Sequence, residues 1–181
     1  TLNFLKFHYE QDDKEIFKSL SMLNDLKGLL GLSIYRNEPY PLFDPGSLKQ
    51  LMFLELNEVS RENISQITKL SNLKTLFLPN THIKTLYDLH KLPKLENLSL
   101  KFLGKMHSLD FSKFKLKILN LDYTNSISLK FLSKCESLKK IVLNMNQSHE
   151  KIFRNISVLR NLEHLHIKNY NRKRLEEESK V

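Results

Sequence analysis

The sequence predicts an α/β solenoid, a stack of near-identical units with a parallel sheet along one side. Two observations carry this. The pattern Leu-x-x-Leu-x-Leu, with Ile or Phe as substitutes, starts at Leu2, Leu29, Leu51, Leu73, Leu95, Leu116, Leu138 and Leu162, in steps of 27, 22, 22, 22, 21, 22 and 24 residues. Within a unit the apolar period then changes. Leu73-x-x-Leu76-x-Leu78 has the alternation of a short strand, and Ile83, Leu86, Leu89, Leu92 and Leu95 follow at three-residue spacing, as a tight helical turn places them. One such unit cannot bury its own leucines, so it stacks on neighbours built the same way.

In chain order, the strands are expected to centre near Leu5, Leu32, Leu54, Leu76, Leu98, Leu119, Ile141 and Leu165. The longest return, Asp12–Leu26, sets Asp12 and Asp13 ahead of Glu15 and then spaces Ile16, Leu20 and Leu23 on one face. That reads as an N-capped α-helix. Three prolines in Glu38–Ser47 predict an irregular loop. The returns after Leu51, Leu73 and Leu116 are expected to be 3₁₀ or short helical turns. Residues 1–168 form one domain of eight repeats, and 169–181, containing RKRLEEESK, is a charged C-terminal tail without the pattern. Solenoid ends expose a sheet edge and need covering, and neither end shows a clear cap in the sequence.

The pattern and spacing resemble leucine-rich repeat proteins over essentially the whole length, most closely the short 22-residue subclass shared by bacterial internalins and a phosphatase regulatory subunit. The resemblance implies a curved leucine-rich repeat solenoid, a right-handed superhelix with a concave parallel sheet of about eight strands and 3₁₀ or short α-helices on the convex side. It also implies an Asn that ends each strand and bonds the backbone of the bend. Here that slot holds Asn37 and Asn146, with Thr81 and Thr124 as smaller polar substitutes, while Glu10, Val59, Leu103 and Tyr170 depart from it.

Composition bounds the function. The 181 residues are 40% apolar and 27% charged, a globular profile, and no apolar run approaches membrane-spanning length. The chain begins at Thr1, so a missing leader carries no weight. Cys135 is the only cysteine and falls in register with Leu70 and Leu92, a core slot. A single cysteine without paired caps favours a reducing compartment, the cytoplasm of a bacterium or of its host. Asn-x-Ser/Thr triplets at Asn63, Asn97, Asn146 and Asn155 read as chance in a chain so rich in Asn and Ser.

The net charge of +9 is uneven: residues 1–60 carry six Lys/Arg against nine acids, and residues 91–140 carry eleven Lys against four. The bland explanation is solubility. The sharper one is a partner with an acidic surface.

If the fourth and sixth places of each unit point inward, the third, fifth and seventh face outward on the concave side. The third-place column is Phe4, Gly31, Phe53, Thr75, Asn97, Ile118, Lys140 and His164. The fifth is Lys6, Ser33, Glu55, Phe77, Ser99, Asn120, Val142 and His166. The seventh is His8, Tyr35, Asn57, Pro79, Lys101, Asp122, Asn144 and Lys168. Aromatics among polar groups on such a face are typical of protein-binding surfaces. The candidate binding residues are Tyr35, Phe53, Glu55, Phe77, Asn97, Lys101, Phe102, Asn120, Tyr123 and Lys140.

His164 and His166 share a strand face, but no Cys or carboxylate stands beside them by sequence, so they read as solvated or partner-facing. No Gly-rich phosphate loop, nucleophile elbow or zinc-ligand spacing occurs, and no cofactor or catalysis is expected. The sequence therefore points to a non-catalytic protein–protein interaction module, of bacterial effector, adhesin or immunity type. The alternative is electrostatic binding of nucleic acid or anionic membrane through Lys113, Lys115, Lys117, Lys139 and Lys140. These lysines are not interleaved with aromatics along one groove, so nucleic acid is the less favoured partner.

Overall fold

The structure, a computed structural model, describes residues 2–8, 23–35, 48–57, 59, 61–79, 86–101, 111–122, 129–144 and 149–168. Each repeat contributes one strand: β1 (Phe4–His8), β2 (Gly31–Tyr35), β3 (Phe53–Leu56), β4 (Thr75–Leu78), β5 (Asn97–Lys101), β6 (Ile118–Asp122), β7 (Lys140–Asn144) and β8 (His164–Lys168). They form one sheet in the order of the chain, and every pairing is parallel. All eight expected centres lie in these strands.

Parallel neighbours need a crossover between them, and the returns supply it. Described pieces of the returns are α1 (Arg61–Ile67), α2 (His149–Ile156) and 3₁₀ turns at Leu23–Asp25, Leu86–Lys91, Phe111–Lys113 and Leu129–Lys134. Of the long helix expected over Asp12–Leu26, the described end is a 3₁₀ turn at Leu23–Asp25 followed by a non-helical Leu26; residues 12–22 and the Glu38–Ser47 loop lie outside the described residues.

The inward face explains why the repeat spacing is so regular. At the first, fourth and sixth places of the six central repeats, no side chain is more than 3% exposed. Each such burial stabilises the fold by about 1.5–3 kcal/mol. The return limbs add parallel ladders. Ile67, Leu89, Phe111, Leu132 and Ile156 occupy one buried slot, and Leu70, Leu92, Cys135 and Leu159 another, so Cys135 is a core residue as its register implied. Phe111 fills a Leu slot by packing its ring against Phe131 at 4.5 Å and Phe114 at 5.4 Å.

Backbone bonds fix the register. The carbonyl in the second place of one repeat accepts two N–H groups from the next: Met52 from Lys74 and Thr75, Lys74 from Glu96 and Asn97, and Lys117 from Lys139 and Lys140. Ahead of β2, β3, β4, β5, β7 and β8, a turn bond such as Leu73 N–H to Leu70 C=O or Leu138 N–H to Cys135 C=O sets the chain's direction. A side chain just before the first Leu then stitches repeats together. Asn72 donates to Lys49 C=O at 2.9 Å, Ser137 to Leu116 C=O at 2.8 Å, Asn161 to Glu136 C=O at 2.8 Å and Gln50 to Leu26 C=O at 3.2 Å. Of the post-strand Asn slot, only Val59 is described, and it is buried.

The edge strands pack less completely. Leu5 and Phe7 of β1 are half-buried, and Leu165 of β8, inward by register, is 37% exposed. A strand with a neighbour on one side only leaves its inward side chain open on the other.

Candidate functional site

The register confirms the third- and fifth-place columns as rows along the whole sheet, whereas the seventh-place column pairs only over β1–β2 and β5–β8, because Asn57, which is buried, and Pro79 lie beyond the ends of β3 and β4. Phe4, Gly31, Phe53, Thr75, Asn97, Ile118, Lys140 and His164 pair in succession, as do Lys6, Ser33, Glu55, Phe77, Ser99, Asn120, Val142 and His166. Tyr35, Phe53, Glu55, Phe77, Asn97, Lys101, Asn120 and Lys140 thus share one face of the sheet. Phe102 and Tyr123 lie outside the described residues.

Over β1–β4 this face is an aromatic strip. Phe4 and Phe53 stand two strands apart, with Gly31 between them. A Cβ on Gly31 would lie 2.3 Å from Cδ2 of Phe4, so the missing side chain is the space the Phe4 ring fills. The ring thereby reaches Phe53 at 5.3 Å between centroids, and Phe53 meets Phe77 edge-on at 5.4 Å. Leaning on one another leaves Phe53 and Phe77 half-buried, whereas Phe4 at the edge remains 49% exposed.

Beside the strip is a polar cluster. Ser33 Oγ donates to Glu55 Oε2 at 2.7 Å, and the Tyr35 hydroxyl donates to Glu55 Oε1. Ser33 is sealed beneath this contact although its register faces outward. Burial first, then the hydrogen bond and negative charge of Glu55, push the Tyr35 hydroxyl up to about 12. It therefore stays protonated and donating at neutral pH. Lys6 Nζ sits 5.1 Å from the Tyr35 ring centre, and the His8 ring lies 5.1 Å from it on centroids. One carboxylate thus holds two donors in place next to the rings.

Over β5–β8 the chemistry changes. Asn97 donates to Thr75 Oγ1 at 3.1 Å. Asn120, Asp122 and Asn144 each hold a shielded Oδ1 with no hydrogen-bond donor; Asp122 and Asn144 are paired across β6 and β7, and Asn120 precedes Asp122 by two residues on the same face. Shielded acceptors without donors are costly and uncommon. Lys140, His164, His166 and Lys168 are exposed, and none makes an ion pair among the described residues. In the neighbouring second-place row, Lys117 pairs with Glu96 at 2.7 Å and Lys139 with Glu163 at 2.8 Å. The Glu163 hydrogen bond raises the Lys139 pKa, and the reciprocal contact lowers that of Glu163. Glu163 is therefore directed chiefly to Lys139, and the neighbouring His164 adds a smaller electrostatic contribution.

Sequence reasoning omitted Phe4, Gly31 and Ser33 from the candidate residues. A glycine in a column otherwise holding larger side chains was the available signal for the first two. Among the described residues, no three His, Cys, Asp or Glu side chains gather as metal ligands, and no helix is long and apolar enough to cross a membrane.

No family model and no curated protein matches the sequence. Solved structures do match. An internalin (inlF) from Listeria monocytogenes aligns with a TM-score of 0.57 at 21% identity, covering 82% of this chain and 46% of that one. An internalin C2 (inlC2) from the same organism aligns with a TM-score of 0.58 at 21% identity, covering 82% of this chain and 68% of that one. This chain thus spans about half the length of the first. With eight parallel strands in unbroken order and a Leu-x-x-Leu-x-Leu core, the chain has the internalin-like leucine-rich repeat fold.

Proposed function

We propose that the chain is a non-catalytic protein–protein interaction module that holds a partner protein on its concave face. The observation that carries this is the Phe4–Phe53–Phe77 strip beside the Ser33–Tyr35–Glu55 cluster. These rings already touch one another, and the hydrogen bonds fix the polar groups beside them, so little side-chain freedom remains to be lost on association. Large aromatics at the centre of an interface commonly carry most of its binding energy. The finer form of this reading is a host-directed effector, an adhesin or an immunity-type protein acting on a partner with an acidic surface, the last suggested by the net charge of +9.

The polyanion alternative gains no support. Two of the five lysines on which it rests, Lys117 and Lys139, are engaged by Glu96 and Glu163.

The test compares proteins captured by the wild type, by Phe53→Ala with Phe77→Ala, and by Lys134→Glu on a return turn away from the sheet face. The aromatic pair should abolish capture of the main partner and Lys134→Glu should leave it intact. Equal capture by all three, confirmed by calorimetry with the identified partner, would remove the concave face from consideration.

A further inference from the structure

We infer that the segment seated on the concave face is extended and acidic, with an apolar side chain over Phe53 and Phe77 and carboxylates over Lys140, His164, His166 and Lys168. This rests on the concave-face proposal and adds the chemistry of the partner.

The face is divided along its length. Rings occupy β1–β4. Basic groups without ion pairs among the described residues gather on β7 and β8, where the second-place row alongside has its lysines neutralised by Glu96 and Glu163. Four exposed basic side chains on two adjacent strands make this end of the face favourable for an anion.

The separation defines the ligand's length. Phe77, Ser99, Asn120, Val142 and His166 pair in sequence along one row. Neighbouring strands are ~4.8 Å apart, so Lys140 lies ~14 Å and His166 ~19 Å across the sheet from Phe77. An extended chain advances ~3.4 Å per residue, which sets the apolar side chain about four to six residues from the carboxylates.

A polyanion charged along its whole length fits less well, because Glu55 and Asp122 lie on the same face and would repel it. A neutral stretch between an apolar anchor and an acidic end avoids both.

The experiment selects peptides of about twelve random residues, long enough to cross the sheet, on the purified protein. Affinities of the enriched synthetic peptides are then measured for the wild type, Phe53→Ala with Phe77→Ala, and Lys140→Glu with Lys168→Glu. All four substituted side chains point away from the core, and a cooperative melt confirms each variant is folded. The expected winners are acidic, with an apolar residue about four to six positions from the acids. Each double variant should weaken them about tenfold or more, and added salt should weaken wild-type binding. Peptides that are neutral or basic, or that bind the Lys140/Lys168 variant at full strength while requiring Phe53 and Phe77, would overturn the acidic chemistry and leave the concave site standing. Peptides indifferent to both variants would overturn the concave site itself. No enrichment over an unrelated protein would overturn a linear segment as the ligand.

Discussion

On β4, Leu76 and Leu78 point into the solenoid while Thr75 and Phe77 point out, and different physics governs the two sets. The inward pair is sealed at 0% exposure and stacks on Leu54, Leu98 and Leu100 in continuous ladders. Its environment repeats from strand to strand, so its residue type repeats as well. The outward set shares the backbone and the register but not the repetition: Phe53 and Phe77 lean together, Glu55 gathers Ser33 and Tyr35, and Lys140 is exposed. Periodicity thus marks the face that folds the chain, and departure from periodicity marks the face available to recognise something.

The substitution expected to act most strongly on this contrast is Leu76→Asp. It would place a carboxylate without a partner between two repeats, and the solenoid should lose its cooperative melt by circular dichroism. The milder Leu76→Ala should cost about 2–5 kcal/mol through the cavity it leaves. A melting point within a degree of wild type for either variant would mean that Leu76 is not a ladder residue.

On the outward face of β2, effects should be smaller. Tyr35→Phe removes one donor to Glu55 and should cost about 1 kcal/mol in denaturant titrations. The sign of its pH dependence follows from the raised hydroxyl pKa. The folded state favours the protonated form, so this contribution is complete below the ordinary tyrosine value of 10.0 and lost as pH rises toward about 12. Ultraviolet titration should show one late phenol in the wild type that is missing in Tyr35→Phe. A Tyr35 that ionises with the other tyrosines would dissolve the Ser33–Tyr35–Glu55 cluster.

The smallest effect on stability is expected at Gly31. Gly31→Val forces the Phe4 ring aside, but Phe4 is half-exposed and free to rotate, so the penalty should stay near ~1 kcal/mol. What it should change is the strip: the Phe4–Phe53 contact in a structure of the variant should be gone. A variant that keeps that contact would mean Gly31 is not what lets the ring through.

The contrast also explains what could be read in advance. Leu54, Leu76, Leu98 and Leu119 announced their strands because the same burial recurs about every 22 residues, and Cys135 was placed by that register alone. The stitching bonds from Gln50, Asn72, Ser137 and Asn161 were not anticipated, because three residue types over four positions, with only polarity and place in common, give no consistent repeating letter. The outward columns were legible as positions. Their contacts were not: Ser33 became sealed, and Phe4 joined Phe53 across a strand, because both depend on neighbours fifty or fewer residues away that no periodic rule specifies. The chemistry of β5–β8, with its undonated oxygens on Asn120, Asp122 and Asn144, was hidden for the same reason.

The division of the sheet into a folding face and a binding face is tested most directly by measuring the melting point and the partner affinity of Phe53→Ala with Phe77→Ala together. Both rings are half-buried against each other, so truncating them should lower stability by about 1–3 kcal/mol, a shift of roughly 2–12 °C for a chain of this size. The affinity should fall by about tenfold or more, measured by calorimetry. Wild-type affinity in the folded double variant would contradict the binding face, and loss of the cooperative melt would show that the outward rings hold the fold as the inward leucines do.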